Sequence, residues 1–278
     1  MADTKIEWAE KTWSPITGCT PISEGCAHCY AQRMANRFKG RYGYPADVPF
    51  RVTFHPERLK EPLKWRKPRR IFVCSMGDLF HISVPVKWID SVFSKICECR
   101  GNHIFIILTK RPERMAEWFQ YAQKEHSGWF NPFTGKLDLW QCWIGVTAEN
   151  QQRADERIPI LLQIPAAKRF VSLEPLLGPV DLTNMQRVLW EYDDEYGTPM
   201  RRKAHPGLDW VIVGGETGPG ARPMQSDWAR LVRDQCESEG VPFFFKKHGD
   251  WWCKEFGKKP GWRENRELDG REWNEFPE

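Results

Sequence analysis

The feature that most restricts this chain is a repeated alternation. A short, continuously apolar run is followed by a stretch whose apolar residues recur at helical spacing. Runs at 71–75, 104–109, 142–147, 169–173, 210–214 and 241–246, with an earlier one at 12–16, read as strands. After the 71–75 run, Ile89, Val92, Phe93, Ile96 and Cys97 fall on one face of a helix predicted over 86–100. Further helices are predicted at 112–122, opening on Pro112, and at 151–164, where Pro159 is expected to interrupt. Another starts near Asp227, with Ser226 as N-cap and Trp228, Leu231, Val232 and Cys236 on its buried face. Strands apolar on both faces and separated by helices imply a parallel sheet covered on both sides. The expected fold is therefore α/β, a partial or open TIM-like (β/α) barrel of six to seven parallel strands.

The 278 residues are expected to form one barrel domain over 1–278. A basic insertion at about 39–70 interrupts it, as does a second at about 178–208, acidic at 191–195 and basic at 201–203. A Trp-rich tail at about 248–278 is expected to pack on the barrel. With 28% charged residues, 41% hydrophobic and 15 Trp, a disordered polyelectrolyte is excluded. No apolar run reaches the ~18–20 residues of a membrane span, and the start of the chain lacks the apolar stretch of a signal peptide. A cytoplasmic location with no membrane partner is expected.

Nine cysteines in a reducing compartment argue against a disulfide framework. Six of them (Cys74, Cys97, Cys99, Cys142, Cys236 and Cys253) sit in apolar contexts and read as small core residues. The other three are clustered in Thr17-Gly-Cys19-Thr-Pro-Ile-Ser-Glu-Gly-Cys26-Ala-His-Cys29-Tyr30, a C-x6-C-x2-C spacing. Gly18 and Gly25 let this loop wrap closely. Cys29 opens a helix with Tyr30, Ala31, Met34, Ala35 and Phe38 on its apolar face, and a helix N-terminus favours thiolate charge. Three thiolates suit a [4Fe–4S] cluster with one iron open to the amino and carboxylate groups of S-adenosylmethionine. Zinc is the competing reading, with His28, His248 or a distant Cys as fourth ligand. Three ordinary thiols are the other alternative.

Polar residues stand just past nearly every strand: Ser75 and Asp78; Thr109, Lys110 and Arg111; Thr147, Glu149 and Asn150; Ser172 and Glu174; Glu216; Lys246 and His248. Barrel enzymes build their sites there, although strands must end in polar loops in any case. Lys110, Arg111, Glu174, Lys246 and His248 are candidates for holding a substrate, the basic ones through its phosphate. In Gly214-Gly-Glu-Thr-Gly-Pro-Gly-Ala-Arg222, Glu216 can accept from an ammonium and Arg222 can fork onto a carboxylate or phosphate; a plain turn is the alternative. The loop lacks the Lys-Ser/Thr ending of a nucleoside-triphosphate P-loop, which argues against a kinase. From Arg33 to Arg70 twelve Lys/Arg face three acidic residues, on a chain of net charge +4. With Phe50, Phe54 and Trp65 interleaved, this block fits a nucleotide or single-stranded nucleic acid, or a merely soluble basic loop.

A strand, a three-cysteine loop, a helix and further β/α units resemble the radical S-adenosylmethionine superfamily. The superfamily's commonest spacing is C-x3-C-x-aromatic-C; here the first interval is three residues longer and His28 stands in the aromatic position. A closer resemblance runs through Trp13-Ser-Pro-Ile-Thr-Gly-Cys19, His55-Pro-Glu-Arg-Leu59, Ile71-Phe-Val-Cys-Ser-Met-Gly-Asp-Leu-Phe80 and Leu108-Thr-Lys-Arg-Pro112. It continues through Ser172-Leu-Glu-Pro175, Val213-Gly-Gly-Glu-Thr-Gly218 and Phe243-Phe-Phe-Lys246. These stretches look like the phage three-cysteine-motif family, which is radical-enzyme-like. The resemblance implies a barrel of the radical S-adenosylmethionine type and a cluster on Cys19, Cys26 and Cys29. It also implies cleavage of S-adenosylmethionine to a 5′-deoxyadenosyl radical, with an electron donor such as flavodoxin or ferredoxin. His28, beside Tyr30, is then expected against adenine, and Gly214, Gly215 and Glu216, or Ser75 and Asp78, at the methionyl amine. Thr147, Glu149 and Asn150 are expected at the ribose or methionyl carboxylate. The expected substrate is a nucleotide or nucleic-acid base in a phage or prophage modification pathway. The alternative is a zinc-stabilised nucleic-acid-binding protein without catalysis.

Overall fold

Strand β1 (Lys11–Trp13) pairs in parallel with β2 (Arg69–Val73). The sheet continues in sequential order through β3 (His103–Thr109), β4 (Cys142–Thr147), β5 (Lys168–Leu173), β6 (Trp210–Gly214) and β7 (Phe243–Lys247). The return connections carry α1 (Tyr30–Arg37), α2 (Val86–Glu98), α3 (Pro112–Glu125), α4 (Gln151–Gln163) and α5 (Ser226–Glu239). The result is a mixed α/β fold whose seven-stranded parallel sheet curls into a half-barrel, with β1 and β7 as its two ends. The computed structural model describes residues 4, 6–99, 103–130, 141–183, 207–259 and 263–278, and the backbone alone of 187–192 and 199–205. Arg100, Trp262 and residues 193–195 of the acidic patch lie outside the described residues. The connection from β5 to β6 contains an antiparallel hairpin, Arg187–Tyr192 with Pro199–His205.

The apolar runs supply two separate cores. Outward-facing residues such as Ile71, Val73, Phe105, Ile107, Ile144 and Val171 pack against the helices, whose buried stripes include Ile89, Val92, Phe93 and Ile96 of α2. Inward-facing residues form a second cluster: Ile106 beside Trp143, Phe170 beside Trp210, and Ile212 beside Phe244. Trp8 and Phe276, from the two ends of the chain, complete this plug. Past the plug, inward positions at or just beyond the strand ends carry Lys110, Thr147, Glu174 and Glu216, so the apolar plug closes one end of the half-barrel and a cavity lined in part by these residues opens at the other. Such burial on both faces erases the alternation that a half-exposed strand would show.

The structure departs from several local expectations. The 12–16 run does not form one strand. Pro15 cannot donate to a ladder, and Ile16–Thr17 instead pairs antiparallel with Thr53–Phe54, folding the basic insertion over the start of the cysteine loop. Pro159 does not interrupt α4; buried Ile158 and Leu161 on either side hold the helix to the sheet, outweighing one lost backbone bond. Ser226 is the first helical residue rather than the cap, which is Gln225. The buried stripe of α5 is Ala229, Val232 and Cys236, leaving Leu231 exposed and Trp228 half-buried. Tyr30 is exposed rather than on the apolar face of α1. In the basic insertion, Phe54 stacks on Trp88 at 4.8 Å and Trp65 sets its edge against His103 at 6.0 Å, so neither ring is open to a base. The tail packs on β7: Trp273 is buried against Phe243, and its carbonyl accepts from Phe245 N–H at 2.9 Å. No helix among the described residues is long and apolar enough to cross a membrane.

Candidate functional site

At the C-terminal ends of the strands lies a cavity of about 290 Å³. Cys19, Cys26 and Cys29 all line it, with His28 and Tyr30. Five successive strand ends supply the rest: Ser75 and Asp78 after β2, Lys110 and Arg111 after β3, Thr147 at the end of β4, Glu174 after β5, and Gly215 and Glu216 after β6. Residues separated by some 200 positions thus converge because parallel strands end on one rim. Cys74 also lines the cavity. Its backbone is left-handed at φ 54°, and burial pushes its thiol up to about 12.

The cysteine loop is held down by buried charge. Glu149, fully buried, pairs with Lys110 and with Arg157 at 2.9 Å, and accepts from the Ser23 hydroxyl at 2.5 Å. A Cβ on Gly25 would collide with this carboxylate, and one on Gly18, at φ 89°, would collide with the Arg51 carbonyl. Asn150 caps α4 by accepting from Arg153 N–H at 3.0 Å, while its amide and the Arg153 guanidinium hold Glu24 of the loop. Glu149 and Asn150 therefore lie behind the cavity wall, as anchors of the loop.

Two thiols have a cation beside them. The Lys110 ammonium lies 3.8 Å from Cys26 Sγ, and Arg111 lies 3.3 Å from Cys19 Sγ. Asp78, buried, orients Arg111 at 2.8 Å and accepts from Thr109 Oγ1 at 2.7 Å. Burial, with the Asp78 charge, pushes the Cys19 thiol up to about 11 against Arg111. At Cys26 burial works in the same direction, but Lys110 and loop N–H groups outweigh it and lower the thiol. His81 Nδ1 accepts from Ser83 N–H at 3.1 Å, so its Nε2 donates to Thr20 Oγ1 at 2.8 Å and pins the loop from a third side. Lys110 and Arg111, read from sequence as phosphate ligands, thus face the thiols.

The Gly-Gly-Glu loop closes on the same motif. Arg222 grips Glu216 with two bonds of 2.9 and 2.5 Å and also reaches the Glu24 carbonyl at 3.0 Å. His28 Nδ1 meets the same carboxylate at 2.9 Å. Arg222 is therefore a clamp on Glu216 and not an open fork for an anion. Burial would raise the Glu216 carboxyl, but Arg222 and His28 hold it at about 2. A depressed carboxylate stabilises the fold fully above its unfolded value of 4.5 and loses that contribution as pH falls through about 2. Arg222→Gln is expected to remove most of this contribution, seen as a smaller fall in Tm than in wild type when pH drops from about 5 to about 3.

Lys246 pairs with Glu174 at 2.7 Å; burial opposes its charge, but Glu174 and Glu7 raise it. Gly214 packs close to Glu174 and Lys246. His248 does not reach the cavity. Its Nε2 meets the Glu267 carbonyl at 2.9 Å, its Nδ1 lies 3.4 Å from Ser226 Oγ, and its ring stacks on Trp252. A backbone carbonyl accepts, so Nε2 donates and His248 is a packing residue.

The family model described as "Protein of unknown function (DUF5131)" matches residues 3–277. The chain belongs to that family. No curated protein and no solved structure matches it. Among its described residues no three His, Cys, Asp or Glu side chains close on one point as a single-ion site requires. Ser23, Glu24, His81 and Arg157 carry no motif of their own, and sequence reading missed them; only the loops they clamp had a signal.

Proposed function

We propose that the protein is a radical S-adenosylmethionine enzyme in which Cys19, Cys26 and Cys29 hold three irons of a [4Fe–4S] cluster. The observation that carries this reading is the gathering of all three motif thiols with the polar ends of five parallel strands around one cavity. The donor set fits the group. Three thiolates that each take a different iron need not converge on a point, and the fourth iron keeps an open position. Such a cluster, held by these three thiolates, would supply the one-electron reduction that cleaves the C5′–S bond of S-adenosylmethionine to methionine and a 5′-deoxyadenosyl radical.

The chain's own residues hold, orient and screen. Lys110 and Arg111 offset negative charge at two sulfurs. Glu216 is held by Arg222 and His28, mainly through Oε2; Oε1, whose one partner among the described residues is the Arg222 guanidinium, is the oxygen it offers to an ammonium. Thr147, Ser75 and Glu174 add polar contacts within the recess. The substrate is a nucleotide or nucleic-acid base, in a phage or prophage modification pathway, and a flavodoxin or ferredoxin donates the electron; the basic segment beside the mouth supports an anionic partner.

The test is anaerobic reconstitution followed by dithionite and S-adenosylmethionine, with release of 5′-deoxyadenosine as the expected product. Lys110→Met and Arg111→Met are expected to retain iron but lower the one-electron midpoint potential. Loss of one N–H to a thiolate sulfur should disfavour reduction about tenfold, or about 59 mV, in spectroelectrochemical titration. Unchanged potentials in both variants would remove these cations from the site's electrostatics.

A further inference from the structure

We propose that the exposed face of α1 and the turn after it form a track for single-stranded nucleic acid, which delivers one base to the cavity; the chemistry of delivery rests on the function proposed above, the binding does not. The track starts at the cavity, where Tyr30 is both a lining residue and 59% exposed. Tyr30, Arg33 and Arg37 follow at helical spacing along one stripe, where Arg33 is half-buried and donates to the Thr217 carbonyl at 3.1 Å, and Arg41 extends it by donating to the Arg37 carbonyl at 2.9 Å. The eight residues of α1 carry this stripe about 12 Å from the mouth. Between Cys26 and Ala46 the chain has four Lys/Arg and no Asp or Glu. Arg37, Lys39 and Arg41 are exposed, and among the described residues none of them meets a carboxylate. Tyr42 ends the track. Its ring is 71% exposed and its backbone is left-handed at φ 53°, an unfavourable state for a residue with a Cβ. Arg58 keeps it there by donating to its carbonyl at 2.6 Å, and the Phe38 edge supports the ring at 5.4 Å.

Exposed cations meet phosphates, and exposed aromatic rings stack on bases whatever their sequence. A base paired in a duplex cannot enter a recess of about 290 Å³ without leaving its stack, so a single strand is the fitting form. The rest of the basic block does not belong to the track. Arg69 and Arg70 begin β2, at the end of the strand away from the cavity, about 16 Å distant at ~3.3 Å per residue. Arg69 is paired with Glu10 at 3.0 Å, and Arg70 lies over Phe276 at 4.2 Å.

The experiment is fluorescence anisotropy of a labelled oligothymidine strand against the full chain, with and without reconstituted iron, at about 50 and 200 mM salt. The single strand is expected to bind more tightly than the corresponding duplex. Arg37→Gln/Lys39→Gln/Arg41→Gln should lower affinity at least tenfold and flatten the salt slope by about two, at roughly 0.7 per phosphate contact on single strands. Tyr30→Ala and Tyr42→Gly should each weaken binding about fivefold or more with the slope unchanged; glycine suits the left-handed backbone, so Tyr42→Gly keeps the fold. Arg66 and Lys67 are exposed just before β2, at that same far end, and Arg66→Gln/Lys67→Gln should bind as wild type. No binding to the single strand, or equal losses from both sets of cation substitutions, would overturn the track. So would tight binding of a flavodoxin in place of the oligonucleotide, which would assign the ridge to a protein partner. Strand binding without any 5′-deoxyadenosine release would instead overturn the radical reading and leave the track standing.

Discussion

Alanine at Cys19, Cys26 or Cys29 is expected to abolish both cluster loading and cleavage of S-adenosylmethionine. Reconstituted wild-type protein should be brown, absorb broadly near ~400 nm and hold about four irons; each single variant should lose most of that iron and release no 5′-deoxyadenosine. The cause is the number of donors. With three protein thiolates there is no spare ligand in the loop, and Cys74, the other thiol on the cavity wall, is fully buried and held as a neutral thiol by its surroundings. Cys236→Ala is the matching control, because Cys236 is buried on the sheet-facing stripe of α5, where burial pushes its thiol up to about 12. It should keep iron and turnover, with only a modest loss of packing. Stoichiometric zinc and no iron after careful reconstitution would falsify the cluster assignment.

Glu149→Ala is expected to be the most destabilising single substitution at the site. The carboxylate has no exposed surface and neutralises two cations, Lys110 and Arg157, while accepting from Ser23. Removing one member of a buried charge group leaves the others uncompensated, which typically costs ~3–5 kcal/mol. For a chain of this size that corresponds to a fall in Tm of roughly 6–20 °C. Glu149→Gln should recover little of it, because the shape returns without the charge. The variant should also load less iron at temperatures where it is still folded, since Ser23 and Gly25 lose the group on which the cysteine loop rests. A calorimetric Tm within a degree or two of wild type would show that Glu149 is not the anchor.

Much of the scaffold was legible in the residues alone, and for identifiable reasons. Strands buried on both faces must be continuously apolar, so β2 to β7 announced themselves, and a sequential parallel order follows from the helical stretches between them. The cysteine spacing and the polar strand ends marked which end of the sheet carries the site. Misreadings arose where a local signal met tertiary packing. Pro159 is a helix breaker in isolation but is overruled by Ile158 and Leu161. Phe54 and Trp65 look like free aromatics beside cations but are packed in the fold.

The residue string by itself determined the kind of fold, the direction in which its strands point, and the clustering of three cysteines in one loop. Only the tertiary structure decided which polar residues face them. Lys110 and Glu149 are 39 positions apart, Ser23 and Glu149 126, and His28 and Glu216 188. No spacing rule reaches across such intervals, because side-chain pairing depends on how far each strand end projects and how the loop beyond it turns. The same physics separates Arg222 from the anion it looked ready to bind. An exposed guanidinium would have been free for a ligand, but one folded beside a buried carboxylate pairs with it, and that choice is made by proximity in space.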